Sequence, residues 1–168
     1  MYLKGFADFW RAIKIMIKVL FICHGNICRS PMAEFVLKNM VEERGLAGMF
    51  HIESAATSTE EIWNGVGNLV YPPAREKLAE NGISCEGKRA RQTTKADYGR
   101  FQYIIGMDSN NMRNMRKIYG GDPEGKLSLM LDYTDRGGDV ADPWYTGNFD
   151  ATWKDVNEGC RGFLDKIL

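Results

Sequence analysis

The stretch Lys18-Val19-Leu20-Phe21-Ile22-Cys23-His24-Gly25-Asn26-Ile27-Cys28-Arg29-Ser30-Pro31 decides how the chain is read. Lys18 to Cys23 is a short apolar run with β-preferring members, bounded by the turn-forming His24-Gly25-Asn26, and it predicts a buried strand that delivers Cys23 to a loop. Ser30-Pro31 then reads as an N-cap followed by proline at the first helical position. Ala33, Val36, Leu37, Met40 and Val41 recur at helical spacing, so a helix is expected from Ser30 to near Gly45.

Working outward, the alternation continues. His51 to Ala55 reads as a strand, Pro72 to Asn81 as a helix ended by Gly82, Phe101 to Met107 as a strand, and Asn110 to Tyr119 as a helix. Leu127 to Leu131 makes a fourth strand. In the last helix Phe149, Trp153, Val156, Cys160, Phe163, Leu164 and Ile167 form an apolar stripe. The expected fold class is α/β, a doubly wound four-stranded parallel sheet with helices on both faces. Ligands of such sheets bind beyond the carboxyl ends of the strands, where the loop after Cys23 lies. Two glycine-bearing segments that also follow strands, Thr57 to Tyr71 and Asp132 to Asn148, are candidate walls of the same crevice.

Bulk composition narrows the partners. With 168 residues, 44% hydrophobic and 26% charged, the chain suits one globular domain. Lysine plus arginine and aspartate plus glutamate both number 22, so net charge supplies no field to gather nucleic acid or an anionic membrane. The four cysteines, Cys23, Cys28, Cys85 and Cys160, do not form the framework of a small secreted protein and are expected as thiols in a reducing compartment. The longest nearly apolar run, Ile15 to Cys23, is interrupted by Lys18 and falls short of a membrane span. Lys4, Asp8, Arg11 and Lys14 break up the core that a secretory signal needs, so a cytoplasmic location is expected. Residues 1–15 read as an N-terminal extension of unknown role, with Leu3, Phe6, Phe9, Trp10 and Ile13 at roughly helical intervals, and residues 16–168 as the domain.

The loop from Cys23 to Ser30 carries the chemistry. Backbone N–H groups wrapped between a strand and a helix converge on one point, and with the positive end of the helix dipole they make an anion site suited to phosphate. The same field favours thiolate, so Cys23 is the expected nucleophile. Arg29 offers a planar fork that grips two phosphoryl oxygens at once. Gly25 and Asn26 are expected to adopt positive φ, and Ser30 to donate a hydrogen bond to the Cys23 sulfur. Cys85 and Arg91 repeat the spacing, but without a preceding strand, a following serine or threonine, or a helix start, and this copy reads as coincidence. A carboxyl on a mobile crevice loop would serve as general acid, and Asp142 competes for that role with Asp132, Asp135 and Asp139.

Together with Ser54-Ala55-Ala56-Thr57, Trp63-Asn64, Ala90-Arg91-Gln92, Met107-Asp108-Ser109-Asn110 and Asp142-Pro143-Trp144-Tyr145, the Cys23 to Pro31 loop resembles the low-molecular-weight protein tyrosine phosphatase family, over a span from about Met16 to Leu168. The resemblance implies a flavodoxin-like sheet and hydrolysis of protein phosphotyrosine through a phosphocysteine, with Asp142 as the acid and later the base. It further implies that Asn26 and Ser54 brace the loop, that Asp108 orients Arg29, and that Ile27, Trp63, Trp144 and Tyr145 line the pocket. Phosphotyrosine proteins or aryl phosphates are the expected substrates, and phosphate and other oxyanions the expected inhibitors. Neither a cofactor nor a metal is called for. The chain departs from the pattern at Lys88, where many members have a histidine linked to the loop asparagine.

His24 beside Cys23 suggests a dyad, but neighbouring loop residues point apart. His51 reads as a surface histidine and Cys160 as a buried inert thiol. Cys28 is either a resolving thiol for oxidised Cys23 or a packing residue. Among rival functions, a protein-arginine phosphatase would carry threonine where Ile27 stands. An arsenate reductase would need a further cysteine pair where only Cys85 occurs, and a phosphoryl-carrier subunit would need neither Arg29 nor Asp142.

Overall fold

The structure is a computed structural model that describes residues 16–168, so the expected extension over residues 1–15 lies outside the described residues. In chain order the elements are β1 (Ile17–Cys23), α1 (Arg29–Glu43), β2 (Phe50–Ala56), β3 (Ile62–Trp63), β4 (Val66–Gly67), α2 (Pro72–Glu80) and α3 (Lys95–Arg100). There follow β5 (Tyr103–Gly106), α4 (Ser109–Tyr119), β6 (Leu127–Leu129), α5 (Pro143–Thr146) and α6 (Phe149–Ile167). Four strands form one parallel sheet in the order β2-β1-β5-β6, while β3 and β4 make a small antiparallel hairpin.

The central position of β1 explains its near-continuous apolar sequence, because both of its faces are covered. Period-two alternation sends Val19, Phe21 and Cys23 to one face, where they join Met32, Val36 and Leu37 of α1 and Val156, Cys160 and Phe163 of α6. Leu20 and Ile22 go to the other face, with Phe101, Ile104, and Met115 and Tyr119 of α4. Phe21 is fully buried, and its truncation to alanine would cost about 3–5 kcal/mol. The doubly wound layering expected from the alternation is therefore present.

Several boundaries differ from the sequence expectation for local reasons. The helix α1 starts at Arg29 rather than Ser30, with Cys28 in the capping position. The third sheet strand begins at Tyr103 rather than Phe101, because the Phe101 N–H bonds back to the Asp97 carbonyl as α3 ends. The fourth stops at Leu129, where Met130–Tyr133 wind into a short 3-10 turn that buries Met130 and Leu131. The hairpin turns at Asn64 and Gly65, both at positive φ (49° and 75°). A side chain at Gly67 would meet the Ala90 carbonyl oxygen at 1.8 Å, so that glycine permits the close approach of the hairpin to the segment before Arg91.

Candidate active site

The end of β1 and the start of α1 are joined by the loop from His24 to Cys28, and its shape rests on Asn26. Asn26 takes positive φ (60°), which asparagine tolerates better than most residues. Its side-chain amide donates to the Ser30 hydroxyl at 2.8 Å and to the Ser54 hydroxyl at 2.9 Å, and its oxygen accepts from the Arg91 N–H at 3.2 Å. Gly25 does not adopt the left-handed conformation expected of it. What it supplies is space, since a Cβ there would approach Glu61 Cγ at 3.1 Å.

The Cys23 sulfur lies in this loop, 3.3 Å from the Asn26 N–H that donates to it and 3.0 Å from the Ser30 hydroxyl. No side chain caps the N-terminus of α1, which leaves its first-turn N–H groups to the loop interior. Such uncapped N–H groups and the helix dipole together favour an anion at this point. Cys28 is buried in the same loop. Burial first, and then the neighbouring Cys23 and Asp142, push its thiol up to about 12, so at neutral pH it is uncharged. His24 turns its ring to Glu60 (3.0 Å) rather than to Cys23, which removes the dyad.

Arg29 is only 2% exposed and is held from three directions. Nη1 donates to Asp108 Oδ2 at 2.6 Å and to the Val140 carbonyl at 3.0 Å, and Nη2 lies 3.4 Å from Asp142 Oδ2. Burial opposes its charge, but Cys23, Asp108 and Asp142 outweigh that penalty and raise its pKa above the usual guanidinium value. Each aspartate uses its other oxygen to start a helix. Asp108 accepts from the Asn111 N–H at 2.8 Å at the head of α4, and Asp142 from the Trp144 N–H at 3.0 Å at the head of α5.

These groups open onto a cleft of about 140 Å³ lined by Cys23, His24, Gly25, Ile27, Cys28, Arg29, Glu60, Glu61, Asp142, Trp144 and Tyr145. Both glycine-bearing segments thus contribute a wall. Trp144 packs on Tyr71 with ring centroids 5.1 Å apart. Trp63 does not line this cleft, contrary to expectation. In the two-residue strand β3 the alternating partner Ile62 packs toward the core and Trp63 is left 71% exposed. Glu60 and Glu61 were not foreseen in the sequence, where they read as ordinary loop charges.

A second layer stands behind the loop. The Ser54 hydroxyl donates to Glu34 Oε1 at 2.6 Å, and Lys88 Nζ lies 3.1 Å from that oxygen and donates to the Ser54 carbonyl at 2.9 Å. Lys38 holds the other Glu34 oxygen at 2.6 Å. Burial lowers the pKa of Lys88, against the pull of Glu34. Lys88 therefore does not reach Asn26 as the family histidine is expected to. It anchors the carboxylate that holds Ser54. The signal for Glu34 was available: it precedes Leu37 by three positions and Val41 by seven, which puts a charge on the apolar face of α1.

No group of three or more His, Cys, Asp or Glu among the described residues could hold a metal ion, and no described helix is long and apolar enough to cross a membrane.

A family model described as low molecular weight phosphotyrosine protein phosphatase matches residues 18–168. The low molecular weight protein-tyrosine-phosphatase YfkJ of Bacillus subtilis is 38% identical over 154 residues, covering 90% of this chain and 96% of that protein. Its crystal structure superposes with a TM-score of 0.85, covering 90% of this chain and 94% of that one. A low molecular weight phosphotyrosine protein phosphatase of Schizosaccharomyces pombe is 42% identical over 156 residues, covering 90% and 97%. The crystal structure of a Drosophila arginine phosphatase is also similar, with a TM-score of 0.79 at 27% identity, covering 89% of this chain and 97% of that one. With a loop, a buried arginine and two flanking aspartates of this geometry, and matches over nearly all of the described residues, the chain belongs to the low molecular weight phosphotyrosine protein phosphatase family.

Proposed function

We propose that residues 16–168 form one catalytic domain that hydrolyses protein phosphotyrosine, and aryl phosphates, through a phosphocysteine at Cys23. The observation that carries this reading is the placement of Arg29, buried beside the Cys23 loop between Asp108 and Asp142. In the first step the Cys23 thiolate attacks phosphorus, the phosphorus–oxygen ester bond breaks, and Asp142 gives its proton to the departing phenolate. Arg29 and the loop N–H groups hold the three remaining oxygens as charge redistributes. In the second step water attacks phosphorus, Asp142 takes a proton from it, and the sulfur leaves as thiolate with the Ser30 hydroxyl donating to it. Phosphate and other oxyanions inhibit by occupying the same cradle. Four free cysteines and a thiol nucleophile suit a reducing compartment, which supports a cytoplasmic location.

A phosphoarginine substrate is the second reading, because the Glu60 and Glu61 carboxylates at the cleft could meet a guanidinium and an arginine phosphatase is among the similar structures. Ile27 and the aromatic pair Trp144 and Tyr145 favour the flat phenyl ring instead. Parallel hydrolysis of phosphotyrosine, phosphoarginine and phosphoserine peptides by one preparation separates the two. Phosphotyrosine is expected to be turned over fastest, and preference for phosphoarginine would replace the first reading with the second.

A further inference from the structure

The cleft over Cys23 continues into a second hollow. A groove of about 570 Å³ shares Ile27, Glu61 and Trp144 with the cleft and runs on past Leu69 and Tyr71 to Arg75 and Arg89. Its character changes along its length. At the cleft the flanking charges are Glu60 and Glu61, with Glu61 fixed by the Asn68 amide at 2.7 Å. In the middle the wall is apolar, and Leu69 and Trp144 are 45% and 56% exposed. Two cations line the groove but not the cleft, Arg89 across a bridge from Leu69 and Arg75 one helical turn along α2 from Tyr71. Arg89 donates to the Gly67 carbonyl at 3.0 Å, and neither Arg75 nor Arg89 has a carboxylate partner among the described residues. Of the other described arginines, Arg29, Arg44, Arg91, Arg100 and Arg136 are paired with acids, while Arg113, Arg116 and Arg161 are not but lie outside this groove.

We infer that this groove is a docking track for the polypeptide that carries the phosphotyrosine, and that it selects an apolar side chain close to the phosphotyrosine and a carboxylate beyond it. The inference rests on the phosphotyrosine reading above. Once the phosphate is seated at Cys23, the ring lies between Glu61 and Trp144, and the chain that leaves the ring on the groove side crosses Leu69 and Tyr71 before it reaches the arginines. An exposed apolar surface continuous with a cleft gains most from covering by an apolar side chain. Two unpaired guanidiniums complement a carboxylate, while Glu60 and Glu61 repel one placed directly at the cleft. A second copy of this chain could cover the same surface, and the experiment below separates that outcome.

The test uses phenyl phosphate and a set of phosphotyrosine peptides with leucine next to the phosphotyrosine and glutamate, alanine or lysine further out, placed on either side. For the parent protein, kcat/KM on one side should rise from lysine to glutamate by about two- to fivefold for each charge pair made, and the rise should shrink as salt is added. With Arg89 still in place, Arg75→Ala should cut the rise by one such factor, Arg75→Glu should flatten it, and Leu69→Ser should remove the gain from leucine. None of the three should change phenyl phosphate turnover. An unaltered peptide ranking in these variants overturns the inference, as does an equal loss on phenyl phosphate and peptides. A concentration-dependent dimer that Arg75→Glu dissolves assigns the groove to a second copy and also overturns it. If the parent protein turns over neither phenyl phosphate nor any phosphotyrosine peptide, the phosphotyrosine reading itself fails and the docking inference falls with it.

Discussion

Two segments of this chain place an arginine six positions after a cysteine, Cys23 to Arg29 and Cys85 to Arg91, and their fates diverge. Cys23 ends the central strand and Arg29 opens α1, so thiol, loop N–H groups, helix dipole and guanidinium share one point. Cys85 follows α2 in irregular chain and lines a separate hollow of about 470 Å³, where burial raises its pKa and keeps it a thiol. Arg91 turns its guanidinium to Asp97 at 3.0 Å, away from Cys85. The second segment nevertheless serves the first. Its Arg91 N–H holds Asn26, and its Lys88 holds Glu34 behind Ser54. The spacing alone carries no chemistry. What separates the proposed nucleophile from a brace is the strand before the cysteine and the helix after it.

The largest difference between the two segments is expected at the cysteines. Cys23→Ser should lower turnover of an aryl phosphate by on the order of 10⁴-fold or more, with vanadate still bound, while Cys85→Ser should leave turnover near the parent value. Steady-state kinetics on both variants checks it, and the reverse pattern would exchange the roles of the two segments.

Next come the arginines. Arg29→Lys should cost on the order of 10²–10³ in turnover, because a point charge cannot reproduce the fork that meets two oxygens. Arg91→Lys should change it little, since the bond to Asn26 comes from the backbone. Similar losses in both would show that the second arginine acts on substrate.

The smallest effect sharpens the link between the segments. Lys88→Met removes one of the two cations on the buried Glu34 carboxylate, so thermal unfolding should show a loss of about 1–3 kcal/mol. Turnover should fall by up to about tenfold as Ser54 and Asn26 loosen. Glu34→Gln in the same background should recover part of the stability, because the carboxylate left short of a cation is then neutral. If Lys88→Met alone changes neither quantity, the brace is not acting on the loop.

Much of this arrangement was legible because strong local signals agreed. The apolar run before Cys23 and the Ser30-Pro31 start set β1, α1 and the loop between them, and the stripe on α6 set its full length. Weak or short elements escaped. The six-residue α3 buries only Asp97 and shows no apolar stripe, although Thr94 and Asp97 form a capping box that could have announced it. The β3–β4 hairpin has two residues per strand, and its Asn64-Gly65 turn was the available sign. In the site, Arg29, Asp108 and Asp142 converge as the motifs implied. The Lys88–Glu34 brace joins residues far apart in sequence and depends on the packing of α1 against β2, which no local pattern encodes. Trp63 was misplaced because a two-residue strand exposes one of its neighbours regardless of size.

In the proposed mechanism phosphorus passes through the Cys23 sulfur under the control of Asp142. Without the Asp142 carboxyl, the proton transfers of both steps are slowed, by on the order of 10²–10⁴ for a poor leaving group. An aryl phosphate with a readily departing phenolate should still phosphorylate the enzyme, since that step no longer needs a proton, so the intermediate should build up in Asp142→Ala. Rapid acid quench of this variant with such a substrate, followed by peptide mapping, locates the phosphoryl group. The phosphoryl group is expected on the peptide containing Cys23 and absent from Cys23→Ser. A phosphoryl group on His24 or on the Cys85 peptide, or no phosphoenzyme while turnover continues, would contradict this mechanism.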